Sequence, residues 1–120
     1  MSADALQVEP AETLAMLHDA AIRLGDMARD SFSGDWRAGL EPAPRAAATI
    51  AALAASTQLM EAMSWLLTRQ AVLLGETPEP LLTVWRARTP DFDALRGDGR
   101  ELAKSIDRLY RHIVELEGER

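Results

Sequence analysis

Cysteine is absent from this 120-residue chain, and histidine occurs only twice, as His18 and His112. Without thiols the chain has no disulfide, thiolate zinc site or cysteine nucleophile, and a reducing cytoplasm is the expected compartment. The two histidines lie far apart in sequence, with no partner at the spacing of metal ligands. We therefore expect no metal site and no bound cofactor.

Basic residues are also in deficit, with 13 lysines and arginines against 19 acidic residues and a net charge of -6. This balance opposes non-specific attraction to nucleic acid or to an anionic membrane. Residues 1–12 contain no basic segment followed by an apolar one, so they predict no secretory signal. The longest run without charge, residues 46–60, is too short to span a bilayer. We expect a soluble cytoplasmic protein with no nucleic-acid or membrane partner.

Strand signals are nearly absent, whereas alanine, leucine, glutamate and arginine are abundant. The pattern predicts an all-α fold in a single domain, residues 1–120. The predicted architecture is an up-down-up bundle of three helices over about 10–32, 44–74 and 99–117. In the last connector, Thr77 and Pro78 offer an N-cap and a first-turn proline for a short helix over 78–87.

Glycine and acidic residues mark the helix ends. Gly34 follows the first helix and Gly75 is placed to cap the second. Asp98, with Glu101 three residues later, resembles a capping box at the start of the last helix. The first and last helices each present a single apolar face.

The second predicted helix has more apolar surface than one face of a bundle needs. Its main row keeps an unbroken 3-4 spacing, and we assign this row to the core of the bundle. The row contains Ile50, Leu53, Thr57, Met60, Ser64, Leu67, Ala71 and Leu74. A second row beside it contains Ala52, Leu59, Met63, Leu66 and Leu73. The other two helices can cover the main row, and the second row is then left over.

Leaving the second row in water is unfavourable. Each large apolar side chain that stays exposed loses about 1.5–3 kcal/mol of the stabilisation that burial would give. Pairing the helix with its own copy is the more favourable arrangement. The sequence therefore predicts a homodimer with Leu59, Met63, Leu66 and Leu73 in the interface.

A narrow polar strip of the same helix contains Trp65 and Arg69, four residues apart. Trp and Arg are over-represented in binding hot spots, so this pair is a candidate partner-binding surface. The alternative is that Trp65 belongs to the core and Arg69 covers it as a solvated lid. Trp36 and Trp85 lie in connectors and are candidates for partner contact or for capping the bundle.

We find no catalytic constellation in the sequence and expect that the protein is not an enzyme. The acidic residues are mostly spread along solvent faces, away from any pocket that would polarise them. Asp91 and Asp93 are two apart in a loop, and we interpret them as turn caps. The glycines follow or interrupt helices rather than joining a strand to a helix, which excludes a phosphate loop.

Residues 44–76 have the sequence PRAAATIAALAASTQLMEAMSWLLTRQAVLLGE. This stretch resembles the signature of a small alphaproteobacterial family, the RcdA-like proteins, named after the regulator of degradation of the cell-cycle transcription factor CtrA. The resemblance is densest over 56–72, at Leu59, Met60, Ser64, Trp65, Leu66, Leu67, Ala71 and Val72. The amphipathic helix before this stretch and the charged helix after it also fit the family's layout.

The resemblance implies a dimeric three-helix bundle that is not an enzyme. The resemblance also implies that the protein is an adaptor in regulated proteolysis. Such an adaptor bridges substrates to the ATP-dependent protease ClpXP with the help of a response regulator. The chain departs from the family's pattern at Ala51, Ala52, Ala54 and Gln58, where acidic and arginine residues are usual. The order of Arg69 and Gln70 is also reversed. We expect these positions to face partners.

Two other functions are alternatives to the adaptor. The first is a small-ligand sensor with a cavity between the helices, lined by Met60, Met63 and Leu66. The second is a dimeric scaffold with no link to a protease.

Overall fold

The computed structural model describes residues 11–78 and 87–118. Within these two ranges it contains three α-helices and no strand: α1, Ala11–Ser31; α2, Pro42–Leu73; and α3, Gly97–Gly118. A 3₁₀ turn, Phe92–Ala94, precedes α3. The all-α fold predicted from the sequence is confirmed. The short helix predicted over 78–87 falls almost entirely outside the described residues.

Proline and glycine delimit α2. Pro42 occupies its first turn, where a missing N–H costs nothing. At the other end Gly75 has a left-handed backbone, with φ +74°, and its N–H donates to the carbonyl of Val72 at 3.1 Å. The N–H of Glu76 donates to the carbonyl of Ala71 at 2.9 Å. These two bonds form a Schellman motif, which satisfies the last carbonyls of the helix.

Helix α3 begins at Gly97, earlier than the start near residue 99 that the sequence predicted. Asp98 therefore lies in the first turn, where its charge complements the helix dipole, and is not the N-cap. The Asp91 side chain accepts a hydrogen bond from the backbone N–H of Asp93 at 3.1 Å and caps the 3₁₀ turn. The turn-capping role predicted for Asp91 is confirmed.

The core lies along the common axis, because each helix packs against both of the others. Helix α1 contributes Leu14 and Ala21, and Leu95 closes the end next to the 3₁₀ turn. The buried face of α3 consists of Leu102, Ala103, Ile106, Asp107, Leu109, Tyr110 and Ile113.

The buried face of α2 follows a seven-residue repeat that is three positions wide. Its members are Ala48, Ala55, Ala62 and Arg69; Ala51, Gln58 and Trp65; and Ala52, Leu59 and Leu66. A helix needs a stripe of this width when two other helices lie against it. The alanines allow α1 and α3 to approach the backbone of α2, and Leu59, Trp65 and Leu66 supply the bulk.

The main apolar row lies on the opposite side of α2, so the assignment of the two rows made from the sequence is wrong. Its exposed members include Ile50, Leu53, Met60 and Leu67, whereas Leu59 and Leu66 of the second row are buried. Both rows repeat every seven residues, and periodicity alone therefore does not distinguish inside from outside. The inner side is marked by pairs of adjacent positions, 51–52, 58–59 and 65–66, which widen the stripe.

By length and composition alone, α2 is apolar enough to cross a membrane. However, 44% of its most apolar window is buried inside the bundle. The core helix of a soluble protein meets the same criteria of length and composition.

Candidate interaction surface

The solvent side of α2 presents a continuous apolar surface, which we call the outer ridge. It consists of Ile50, Leu53, Thr57, Met60, Ser64, Leu67, Ala71 and Leu74. Ile50 is 67% exposed, and Met60 and Leu74 are each 72% exposed. At 1.5 Å per residue the ridge is about 36 Å long. An exposed apolar patch of this extent is typical of an interaction site.

No charged side chain interrupts the outer ridge. The Thr57 hydroxyl donates to the carbonyl of Leu53 at 2.9 Å within the same helix, so its methyl group is available for an apolar contact. The positions that flank the ridge are half-buried, namely Thr49, Ser56, Met63 and Gln70 on one side and Ala54, Glu61 and Thr68 on the other. The ridge is thus two heptad positions wide, which is the width of a seam between two paired helices.

The residues predicted for the dimer interface do not form a free surface. Leu59 and Leu66 lie in the core of the bundle, and Met63 is partly buried against it. Leu73 is partly exposed at the end of α2. The prediction is corrected for Leu59 and Leu66, because they occupy the stripe against which α1 and α3 pack.

The predicted partner-binding pair, Trp65 and Arg69, also lies on the inner side of α2. Trp65 is buried, and its indole N–H donates to a carboxylate oxygen of Glu117 on α3. Arg69 is 1% exposed and is one of the largest fully buried side chains. Both belong to the heptad stripe of the core alanines. Neither side chain is therefore presented to a partner, and Arg69 is not a solvated lid.

Trp36 lies half-buried at one end of the bundle, in the connector between α1 and α2. Its ring packs against Phe32, with the centroids 5.3 Å apart and the planes tilted by 58°. The guanidinium of Arg37 lies 6.0 Å from the Trp36 ring centroid and donates to Thr49 Oγ1 at 2.7 Å. Trp36 therefore covers the bundle end and keeps part of its surface accessible. Trp85 lies outside the described residues.

A polar cluster, buried at Gln58 and Asp107 and exposed at Arg111, joins α2 to α3. Gln58 Nε2 donates to Asp107 Oδ1 at 2.7 Å, and Arg111 Nε donates to Asp107 Oδ2 at 2.8 Å. Arg111 also donates to Thr89 Oγ1 at 2.7 Å. The hydrogen bond to Asp107, and then the charge of its carboxylate, raise the pKa of Arg111. These hydrogen bonds connect the segment before α3, at Thr89, to both α2 and α3.

Tyr110 forms a second link between the same elements. Its hydroxyl donates to Glu61 Oε2 at 2.6 Å and accepts from the backbone N–H of Ala87 at 3.3 Å. Burial, and then the hydrogen bond to the Glu61 carboxylate, raise the pKa of Tyr110 to about 12. The sequence reasoning missed both links. The signal for the first link was the presence of polar residues, Gln58 and Asp107, at core positions of their helices.

The departures from the RcdA-like pattern are also directed inward. Ala51, Ala52 and Gln58 are buried in the bundle, and Ala54 is half-buried. The expectation that these positions face partners is therefore wrong for the three buried residues.

The cavity predicted for a small ligand is not formed by its three residues. Met60 lies on the outer ridge and Leu66 in the core, so the two side chains point to opposite sides of α2. His18 is half-buried and His112 is exposed. Among residues 11–78 and 87–118, no three acidic or histidine side chains come together as metal ligands.

Residues 7–119 match a family model with the description "Protein of unknown function (DUF1465)". The chain belongs to the DUF1465 family. No curated protein and no solved structure matches the chain. In this DUF1465 protein the polar groups Gln58 and Arg69 of α2 are directed inward, and an apolar row is directed outward. In an isolated soluble bundle the outward face of a helix is typically polar, so the outward apolar row is the unusual feature.

Proposed function

We propose that this protein is a non-enzymatic, cytoplasmic interaction module that pairs with a second copy of itself through the outer ridge. The supporting observation is the exposure of the ridge, where Met60 and Leu74 each leave 72% of their surface in water. Covering such a face is favourable by roughly 25 cal/mol per Å² of apolar area removed from water. An identical face covers it with a twofold axis, because one self-complementary patch then serves both chains.

The spacing of the ridge favours an antiparallel pair. Its intervals are 3, 4, 3, 4, 3, 4 and 3 residues, a series that is the same from either end. With the twofold axis level with Ala62, every member of the ridge opposes another member. Ile50 opposes Leu74, Leu53 opposes Ala71, Thr57 opposes Leu67, and Met60 opposes Ser64.

The sizes of the side chains favour the same orientation. Along the ridge the bulky Leu53, Met60 and Leu67 alternate with the small Thr57, Ser64 and Ala71. Antiparallel pairing places each of these small residues opposite a bulky one, so the two faces interdigitate, and only the end pair, Ile50 and Leu74, brings two bulky residues together. Parallel pairing would place each bulky residue against its own copy and each small residue against its own copy, which leaves gaps.

The wider role that we propose is an RcdA-like adaptor in regulated proteolysis, which acts with ClpXP and a response regulator. The stretch with the family resemblance, residues 44–76, covers most of α2, and four of its matching residues, Met60, Ser64, Leu67 and Ala71, belong to the outer ridge. A twofold dimer presents each of its other surfaces twice. This geometry suits a protein that bridges a substrate to a protease.

Light scattering tests the pairing. The wild-type particle should have twice the 13.2 kDa mass of the chain. Met60→Asp should give a folded monomer, because the interface would have to bury an unpaired carboxylate. The matched control is Met16→Asp, which changes an equally exposed methionine outside the outer ridge. Met16 is 71% exposed on α1, and it lies on the same face of α1 as Met27, which borders α3. A wild-type monomer at micromolar concentration, or a dimeric Met60→Asp protein, contradicts the pairing.

A pull-down from the native host tests the adaptor role, with the wild type and Met16→Asp as baits. Recovery of protease subunits or a response regulator with both baits supports the adaptor. If the wild type is dimeric but recovers neither, the protease link is wrong. The protein is then a dimeric scaffold, which is the second candidate function.

A further inference from the structure

We propose that the bundle end beside Trp36 binds a short acidic peptide segment and accepts one leucine- or phenylalanine-sized side chain into a cavity there. The proposal names the chemistry of a partner and rests on the proposed role as an interaction module. It uses residues that lie apart from the outer ridge.

The cavity has a volume of about 140 Å³ and lies where α1 ends, α2 begins and the chain enters α3. Its lining includes Phe32, Trp36, Leu40, Ala48, Leu95 and Arg96. Ala48 and Leu95 are fully buried and form the floor, whereas Phe32 and Trp36 are half-buried and form an aromatic wall. The cavity is therefore apolar at its base and accessible from solvent at its rim.

The volume fits a single side chain. An engineered cavity of about 150 Å³ in another protein holds one benzene molecule. The space here persists because the floor residue Ala48 is small. Gly99 lies close to the aromatic wall, since a Cβ atom at its position would be 3.4 Å from Phe32 Cε1. One leucine or phenylalanine side chain is the group that this space accommodates.

The site is held in shape before any ligand arrives. Arg100 Nε donates to the carbonyl oxygens of Phe92 and Leu95, both at 3.0 Å, and braces the turn behind the floor. The Phe32 and Trp36 rings support each other on the opposite wall. A preformed site loses little conformational entropy on binding, which favours recognition of a short segment.

The charge of the ligand follows from Arg96. Among the described residues that line the cavity, Arg96 is the charged one, and it is exposed at the rim. A guanidinium pairs well with a carboxylate, and such a pair at the edge of an apolar anchor adds orientation. A segment with an acidic residue next to its apolar anchor therefore matches both features.

Three blocked tripeptides test the proposal by NMR on the full chain: Ac-Glu-Leu-Glu-amide, Ac-Glu-Ala-Glu-amide and Ac-Lys-Leu-Lys-amide. The first should shift the Trp36 indole and Ala48 methyl signals in a saturable way. The alanine peptide should bind about tenfold more weakly or worse, because it lacks the buried leucine. The lysine peptide should also bind more weakly, because its charges repel Arg96.

Substitutions in and beside the cavity make the test specific. Ala48→Leu fills the floor and should abolish binding, whereas Ala47→Leu, at the exposed neighbouring position, should bind like the wild type. Arg96→Glu should reverse the preference between the glutamate and lysine peptides. If circular dichroism shows that Ala48→Leu does not fold, Ala94→Leu fills the cavity from its half-buried wall.

The proposal is overturned if no peptide shifts the Trp36 and Ala48 signals at millimolar concentration. It is also overturned if the cavity-filling variant binds as the wild type does, or if Arg96→Glu leaves the charge preference unchanged. Light scattering on the same samples keeps the two proposals separate. A wild-type dimer that binds no peptide refutes the peptide site and leaves the pairing through the outer ridge intact.

Discussion

Leu66 and Leu67 are adjacent in sequence yet lie on opposite sides of α2, with 0% of Leu66 and 53% of Leu67 exposed. Leu66 belongs to the core cluster that joins the three helices, and Leu67 belongs to the outer ridge. Adjacent residues of α2 thus belong to two different surfaces. Leu66 packs in the core of the bundle, and Leu67 lies on the surface through which we propose that two copies pair.

Truncation of the two leucines should separate their contributions. In the Met60→Asp background, where pairing contributes nothing, Leu66→Ala should lower the free energy of unfolding by about 2–5 kcal/mol. Leu67→Ala should change it by only about 0.5 kcal/mol, as expected of an exposed site. Urea denaturation measures both. Equal losses of unfolding free energy in the two variants would contradict the placement of Leu66 in the core and Leu67 on the solvent side of α2.

The hydrogen bond between Gln58 and Asp107 should couple their substitutions. Asp107→Leu alone should destabilise the protein by about 1–3 kcal/mol, because Gln58 Nε2 then remains buried without its acceptor. The double variant Gln58→Leu, Asp107→Leu should lose less than the sum of the two single losses, since no orphaned donor remains. A double-mutant cycle by urea denaturation measures this difference. Strictly additive losses would contradict the bond.

Tyr110 is the single tyrosine of the chain, so phenolate absorbance reports on it alone. Its folded-state pKa of about 12 exceeds the ordinary value of about 10. The stability that Tyr110 contributes should therefore be complete below about pH 10 and disappear as the pH rises towards 12. A titration midpoint near 10, while circular dichroism shows intact helices, would contradict the buried bond to Glu61. Tyr110→Phe serves as the control without a phenolate signal.

The architecture could be predicted from the sequence because its signals are local. The apolar face of α3, the turn cap at Asp91 and the helix stop at Gly75 each depend on neighbouring residues only. Local chemistry determines these features wherever the helices later pack. The predicted three-helix fold is accordingly confirmed, with helix ends close to the observed ones.

The orientation of α2 could not be predicted by the rule that the most apolar row is the core. Both faces of α2 have a seven-residue period, and the inner face contains Gln58 and Arg69 among small alanines. Gln58, for example, is accommodated by a partner on another helix, Asp107 of α3. Such partners are distant in sequence, so the helix alone gives no sign of them. Of the two readings of Trp65, partner contact is wrong and the place in the core is confirmed, with its indole N–H donating to Glu117.

The central claim is that two copies pair in antiparallel orientation through the outer ridge. The chain has no native cysteine, so Ile50→Cys and Leu74→Cys can be prepared as separate proteins and mixed. Oxidation of the mixture should give a covalent dimer that contains one chain of each kind. Ile50→Cys alone should not cross-link, because its two thiols would lie about 36 Å apart, far beyond the reach of a disulfide. Cross-linking of Ile50→Cys alone, or no cross-linking in the mixture, would contradict the claim.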